Sequence, residues 1–245
     1  MDQQTQNARR AETGFSLLEL LVVLLLFSLI AGAALSQISQ VQQRARTEQS
    51  KLDIFQESRE FMDQLVRDLH QTGYPNIRMF DTSSWSPALN ANPMNDSRLA
   101  AGLLKIAPNE IMFEGDVDGD GQVDVLDYKL QPASAGNNCP CVQRSQILKS
   151  TGGTVFSTEV QNVQSAGTAA DPIFVAYKTD GTTVTSADTT TPSTLASIKT
   201  IRITLKVKAR VADPQTQVAP ETSLGSVVTL ANCSLAASGQ PMSCQ

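Results

Sequence analysis

Three features of the sequence predict an α+β fold, with a long amino-terminal α-helix packed on a carboxyl-terminal head of antiparallel β-sheet. Residues 15–35 form an almost unbroken apolar run. From Leu35 to Leu69 apolar residues recur at helical spacing, with no proline or glycine between Ala33 and Thr72. After Pro75 the composition turns to Ser, Thr, Asn, Gly and Pro, interspersed with short β-branched runs. The chain therefore divides into a polar leader (1–14), an apolar helix (15–36), an amphipathic continuation of that helix (37–73) and a β-rich head (74–245). With 41% apolar and 18% charged residues, the 245-residue chain can build a packed core. A net charge of −5 argues against a nucleic-acid partner. One histidine, His70, removes most histidine-based catalytic and zinc constellations.

The leader carries Arg9 and Arg10 ahead of the apolar run. The twenty-one helical residues from Phe15 to Leu35 rise about 30 Å, the thickness of a bilayer core. A basic segment before such a helix keeps its own end in the cytoplasm and sends the rest outward. A secretory signal cleaved near Ala31–Ala34 would give the same start. It would not continue as a helix, and Leu35, Ile38, Val41, Ala45, Leu52, Phe55, Met62, Leu65, Val66 and Leu69 extend the stripe well past that point. Gly73-Tyr74-Pro75 then ends the segment. Glu19 stands out within the run, because a carboxylate in lipid costs a few kcal/mol and calls for a partner.

Gly14-Phe15-Ser16-Leu17-Leu18-Glu19-Leu20 resembles the processing motif of type IV prepilins and pseudopilins. The resemblance implies cleavage after Gly14 by prepilin peptidase, methylation of the new amino terminus at Phe15, and an assembly role for Glu19. It also implies a single-pass inner-membrane precursor with its head in the periplasm. An inner-membrane assembly platform and other minor and major pilins would draw that precursor into a pilus at the cell surface. The chemistry agrees. The α-amine at Phe15 and the carboxylate of Glu19 lie about one turn apart, so Glu19 of one subunit can neutralise the amine of its neighbour in an apolar core. Val66-Arg67-Asp68-Leu69-His70-Gln71-Thr72-Gly73-Tyr74 is similar to a stretch of PilW-type minor pilins and of J-type minor pseudopilins. The reading is a minor pilin that primes or caps a type IV pilus. Its alternatives are a J-type minor pseudopilin of type II secretion and a membrane-anchored, calcium-dependent adhesin module.

In the head, strands are expected at 110–114, 123–130, 142–148, 154–160, 173–178, 198–211 and 226–230. The segment 198–211 is the clearest. Ile201, Ile203, Leu205, Val207, Ala209 and Val211 alternate with Arg202, Thr204, Lys206, Lys208 and Arg210, giving one buried and one basic face. The basic row reads either as a solvated outer face or as a patch for an acidic neighbour or a DNA backbone. Residues 81–98 and 179–197 read as loops, with Trp85 packed under the first.

Residues 116–127 follow the spacing of an EF-hand-type calcium loop: Asp116, Asp118 and Asp120 at positions one, three and five, Gly121 at the turn. Gln122 would offer its carbonyl, with Asp124 at position nine and Asp127 at twelve, where glutamate is usual. A structural Ca2+ is the expected cofactor. The competing reading is a solvated Asp-Gly hairpin turn.

Four cysteines in an exported head allow three pairings. Cys233–Cys244 resembles the terminal disulfide loop of many pilins and leaves Cys139 and Cys141 to bridge to each other. Crossed pairing of Cys139 and Cys141 with Cys233 and Cys244 is the competitor. No nucleophile motif, phosphate loop or histidine–carboxylate pair points to catalysis, so no catalytic residue and no enzyme are expected.

Overall fold

The computed structural model describes residues 16–135, 139–184, 190–213 and 216–231. Helix α1 runs from Leu17 to His70, and the chain divides into two compact units, 1–47 and 48–245. In the first unit the helix exposes its large apolar side chains, from Leu17 through Ile30 to Val41. It is long and apolar enough to cross a membrane, with a mean hydropathy of 2.6 in its most apolar window.

In the second unit the same helix becomes one wall of a core. Phe61, Met62, Leu65 and Leu69 are buried at the spacing of one helical face. The helix then closes tightly. The amides of Gln71 and Thr72 bond to the carbonyls of Asp68 and Leu69, and Gly73 takes φ +77, a conformation that glycine adopts without strain.

The head holds two antiparallel sheets, so the α+β expectation stands. The larger sheet has β1 (Leu103–Ala107), β2 (Glu110–Gly115), β3 (Asp124–Gln131), β4 (Cys141–Leu148) and β5 (Phe156–Gln161), paired in sequence order. The smaller has β6 (Phe174–Lys178), β7 (Ile198–Lys208) and β8 (Glu221–Thr229). A short helix, α2 (Pro192–Ala196), precedes β7 inside a segment read as loop. β1 was not foreseen, because its five residues lack an alternating pattern and follow a small-residue run. β8 begins at Glu221 rather than at 226, since its first residues are polar and only its pairing with β7 orders them.

Both sheets feed one core. Tyr128 is fully buried between the rings of Phe61, at 5.9 Å, and Phe113, at 6.3 Å. The loop before β1 is itself ordered around Trp85, which lies under the Arg98 guanidinium at 4.0 Å and beside Phe80. Arg98 is fixed there by Asp96 at 2.7 Å.

β7 alternates as its sequence dictates, with Ile201, Ile203, Leu205 and Val207 buried and Arg202 and Lys206 exposed. Three of its cations are used within the head. Lys206 pairs with Asp171 at 2.6 Å, Lys208 with Glu221 at 3.3 Å, and Arg202 lies over the Tyr177 ring. That arrangement favours the solvated-face reading of the row. Cys139 and Cys141 are bonded to each other, not crossed to the carboxyl terminus. Cys233 and Cys244 lie outside the described residues.

One contact sets how the helix end meets the sheet. A Cβ built on Gly115 would come within 3.0 Å of the Gln71 carbonyl, which is backbone and has no flexible end to yield. Gly115→Ala should therefore separate α1 from β2 and cost about 1–3 kcal/mol. Denaturant unfolding against the parent checks it, and an unchanged midpoint would show that the seam has slack.

Candidate functional site

Two regions carry the chemistry anticipated from the sequence. The first is the start of α1. Gly14 and Phe15 lie outside the described residues, whereas Glu19 is exposed in the first turns of the helix. The Glu19 side chain has no hydrogen bond or ion pair with a described residue, and apolar residues surround it in sequence.

The second is the β2–β3 loop. Asp116, Asp118 and Asp120 each offer a carboxylate oxygen, and the three oxygens lie within 4.8 Å of one another. Backbone amides hold them there. Asp116 accepts from Gly119 at 2.8 Å and from Gly121 at 3.1 Å, Asp118 from Asp120 at 3.2 Å, and Asp120 from Gln122 at 2.8 Å. Gly119 and Gly121 both have positive φ, which lets the chain coil around its own carboxylates. The Gln122 side chain also donates to Asp120.

Asp124 is buried at the foot of the loop, where burial and then the carboxylates of Asp118, Asp120 and Asp116 push its pKa up, against a hydrogen bond from Gln146. Three carboxylates thus converge, with the charge of Asp124 close enough to feel them, a donor set that suits a hard cation. Asp127 is not among them. Three residues past Asp124 on β3, it falls on the other face of the strand, beside Glu110, Lys105 and Lys129. A twelfth-position ligand needs a helical or coiled exit from the loop, and this loop exits as a strand.

Residues 9–35 match the family model described as the prokaryotic N-terminal methylation motif. The amino terminus is type IV pilin-like. Such a motif implies processing by prepilin peptidase and assembly with other pilins, and with the apolar start of α1 it supports membrane anchoring. No curated protein and no solved structure matches the chain.

The helix and the loop are joined by a polar network that the sequence reading did not find. Asp68 is buried on the apolar face of α1, and the Tyr128 hydroxyl donates to it from β3. Arg144 of β4 reaches the same oxygen from Nη2 at 2.9 Å and from Nε at 3.1 Å. Burial and the neighbouring Asp68 carboxylate raise the Tyr128 pKa, so the phenol stays a donor. Arg144 also donates to Gln146 at 2.6 Å, and Gln146 donates to Asp124 at 2.9 Å. A second buried pair, Lys149 with Glu114 at 2.7 Å, ties the turn after β4 to β2, and Lys149 holds the Leu99 carbonyl as well. The signal for Asp68 was present: it lies three residues from Leu65 and next to Leu69, on the buried face.

Asp127 has its own consequence. It is 4% exposed, and its Oδ1 has no hydrogen-bond partner. Burial first, then the Glu110 carboxylate, raises its pKa to about 6 against the pull of Lys129 and Lys105. In the unfolded chain the group ionises near pH 4. Between those values the folded state holds the extra proton, so this residue's contribution to stability falls as pH rises from about 4 to about 6 and stays lost above. Asp127→Asn should therefore raise the melting temperature at pH 8 and change it little at pH 4. An equal shift at both pH values would show that the carboxyl does not titrate in this window.

Proposed function

We propose that the chain is a minor pilin of a type IV pilus, similar to the PilW type. Prepilin peptidase cuts it after Gly14, Phe15 is methylated, and the inner-membrane assembly platform draws it, with other minor and major pilins, into a filament that it primes or caps. The observation that carries this reading is the methylation motif over residues 9–35, which runs directly into the apolar helix with Glu19 as its lone carboxylate. The role is structural. The α-amine left at Phe15 and the Glu19 carboxylate of a neighbour neutralise each other once lipid is replaced by packed helices. Support for the minor-pilin subtype comes from the Val66–Tyr74 stretch, whose Asp68 anchors the helix to the sheet. The same stretch also resembles J-type minor pseudopilins. Gene deletion separates the two, through loss of piliation or loss of exoprotein release.

Mass spectrometry of the mature protein should find methyl-phenylalanine at its start. Gly14→Val should leave uncut precursor, and Glu19→Val should be cut yet fail to enter filaments. A mature start near Leu35 would overturn the reading.

The loop adds a proposed structural Ca2+, held by Asp116, Asp118, Asp120 and Asp124 with the Gln122 carbonyl. Its support is the convergence of three carboxylate oxygens within 4.8 Å. Millimolar calcium should raise the melting temperature above that in chelator, with magnesium doing less. Asp118→Ala combined with Asp120→Ala should abolish the difference. Identical melting of the parent with calcium and with chelator would leave only a solvated turn.

A further inference from the structure

β8 is the edge of the three-stranded sheet, and among the described residues only one of its sides is paired. Its ladder with β7 continues at both ends, through Leu230 N–H to the Lys199 carbonyl and Ala209 N–H to the Pro220 carbonyl, each at 2.7 Å. Those two bonds fix the phase of the whole strand. In the observed register Thr222, Leu224, Ser226 and Val228 exchange hydrogen bonds with β7. The N–H and C=O groups of Glu221, Ser223, Gly225, Val227 and Thr229 consequently point away from the sheet, and none makes a hydrogen bond with a described residue.

The usual sequence protections of an edge are missing from the strand itself. From Thr222 to Thr229 the strand has no charge, no proline and no bulge. Beside it lies a groove against α1, opening as cavities of about 270 Å3 and 400 Å3 that share Phe55. Leu52 and Phe55 are 60% and 41% exposed there. The charges along the groove are already matched: Lys51 with Glu48 at 2.6 Å, Arg59 with Asp63 at 3.9 Å and Lys208 with Glu221 at 3.3 Å. A charged occupant finds no counter-ion to gain, so an uncharged one is the complement. What remains unmatched is a row of main-chain donors and acceptors at two-residue spacing, and only another extended backbone repeats at that interval.

We propose that β8 accepts an extended, uncharged segment of a neighbouring subunit as a fourth strand, whose alternate apolar side chains enter the groove against Leu52 and Phe55. The proposal rests on the filament reading, because it needs a neighbouring subunit beside the head.

Amide-resolved hydrogen exchange on the full chain, detergent-solubilised and then in filaments, tests it. In the free chain Ser223, Gly225 and Val227 should exchange fast while Leu224, Ser226 and Val228 are protected by β7. In filaments the outward amides should slow by roughly tenfold or more. Ser223→Pro and Val227→Pro remove only outward N–H groups and keep the ladder to β7, so they should lower incorporation without lowering the melting temperature. A chain absent from filaments counts against the filament reading. A chain present in them with outward amides as fast as before, or proline variants that incorporate like the parent, overturns the fourth strand alone.

Discussion

A carboxylate on the buried face of α1 must be matched from the sheet, and the head is arranged around that requirement. Asp68 sits among Leu65, Leu69 and Phe61, where an unpaired charge would cost several kcal/mol. Tyr128 and Arg144 supply its donors from adjacent strands, which is possible only because they face each other in the β3–β4 register. A slip of β4 by one residue would turn Arg144 to the other face and leave the buried carboxylate without its guanidinium. The polar pair thereby selects one register, while the apolar surface around it supplies most of the stabilisation.

The helix and the loop serve different ends through the same economy of residues. In the first unit α1 exposes leucines along its length, as suits lipid or other helices. In the second its stripe narrows to one face and closes a core. The β2–β3 connection gathers carboxylates by donating backbone amides to them, so the loop conformation and the charge cluster are one feature.

The long helix, the strand alternation of β7 and the processing motif were legible because each is a local pattern repeated over many residues. Strand β1 and helix α2 were not, since five residues carry too little periodicity to separate them from loop. The loop's first three carboxylates were placed by spacing alone. Asp127 was misplaced because the spacing of a ligand loop presumes how the chain leaves it, and that depends on Arg144 and Ser145 lying across from β3. Asp68 shows the converse: its position on the apolar stripe announced burial, but its partners stand 60 and 76 residues away. Such partners belong to topology, which no local pattern encodes.

The hydrogen bonds from Asp68 through Arg144 and Gln146 to Asp124 run from the helix seam to the foot of the acidic loop. Each link fixes the orientation of the next, because a guanidinium and an amide present donors and acceptors at set angles. The charge state of the loop and the seating of the helix therefore share one mechanical train. A change of charge at the loop would in this way reach the side chain that holds the head's own part of α1.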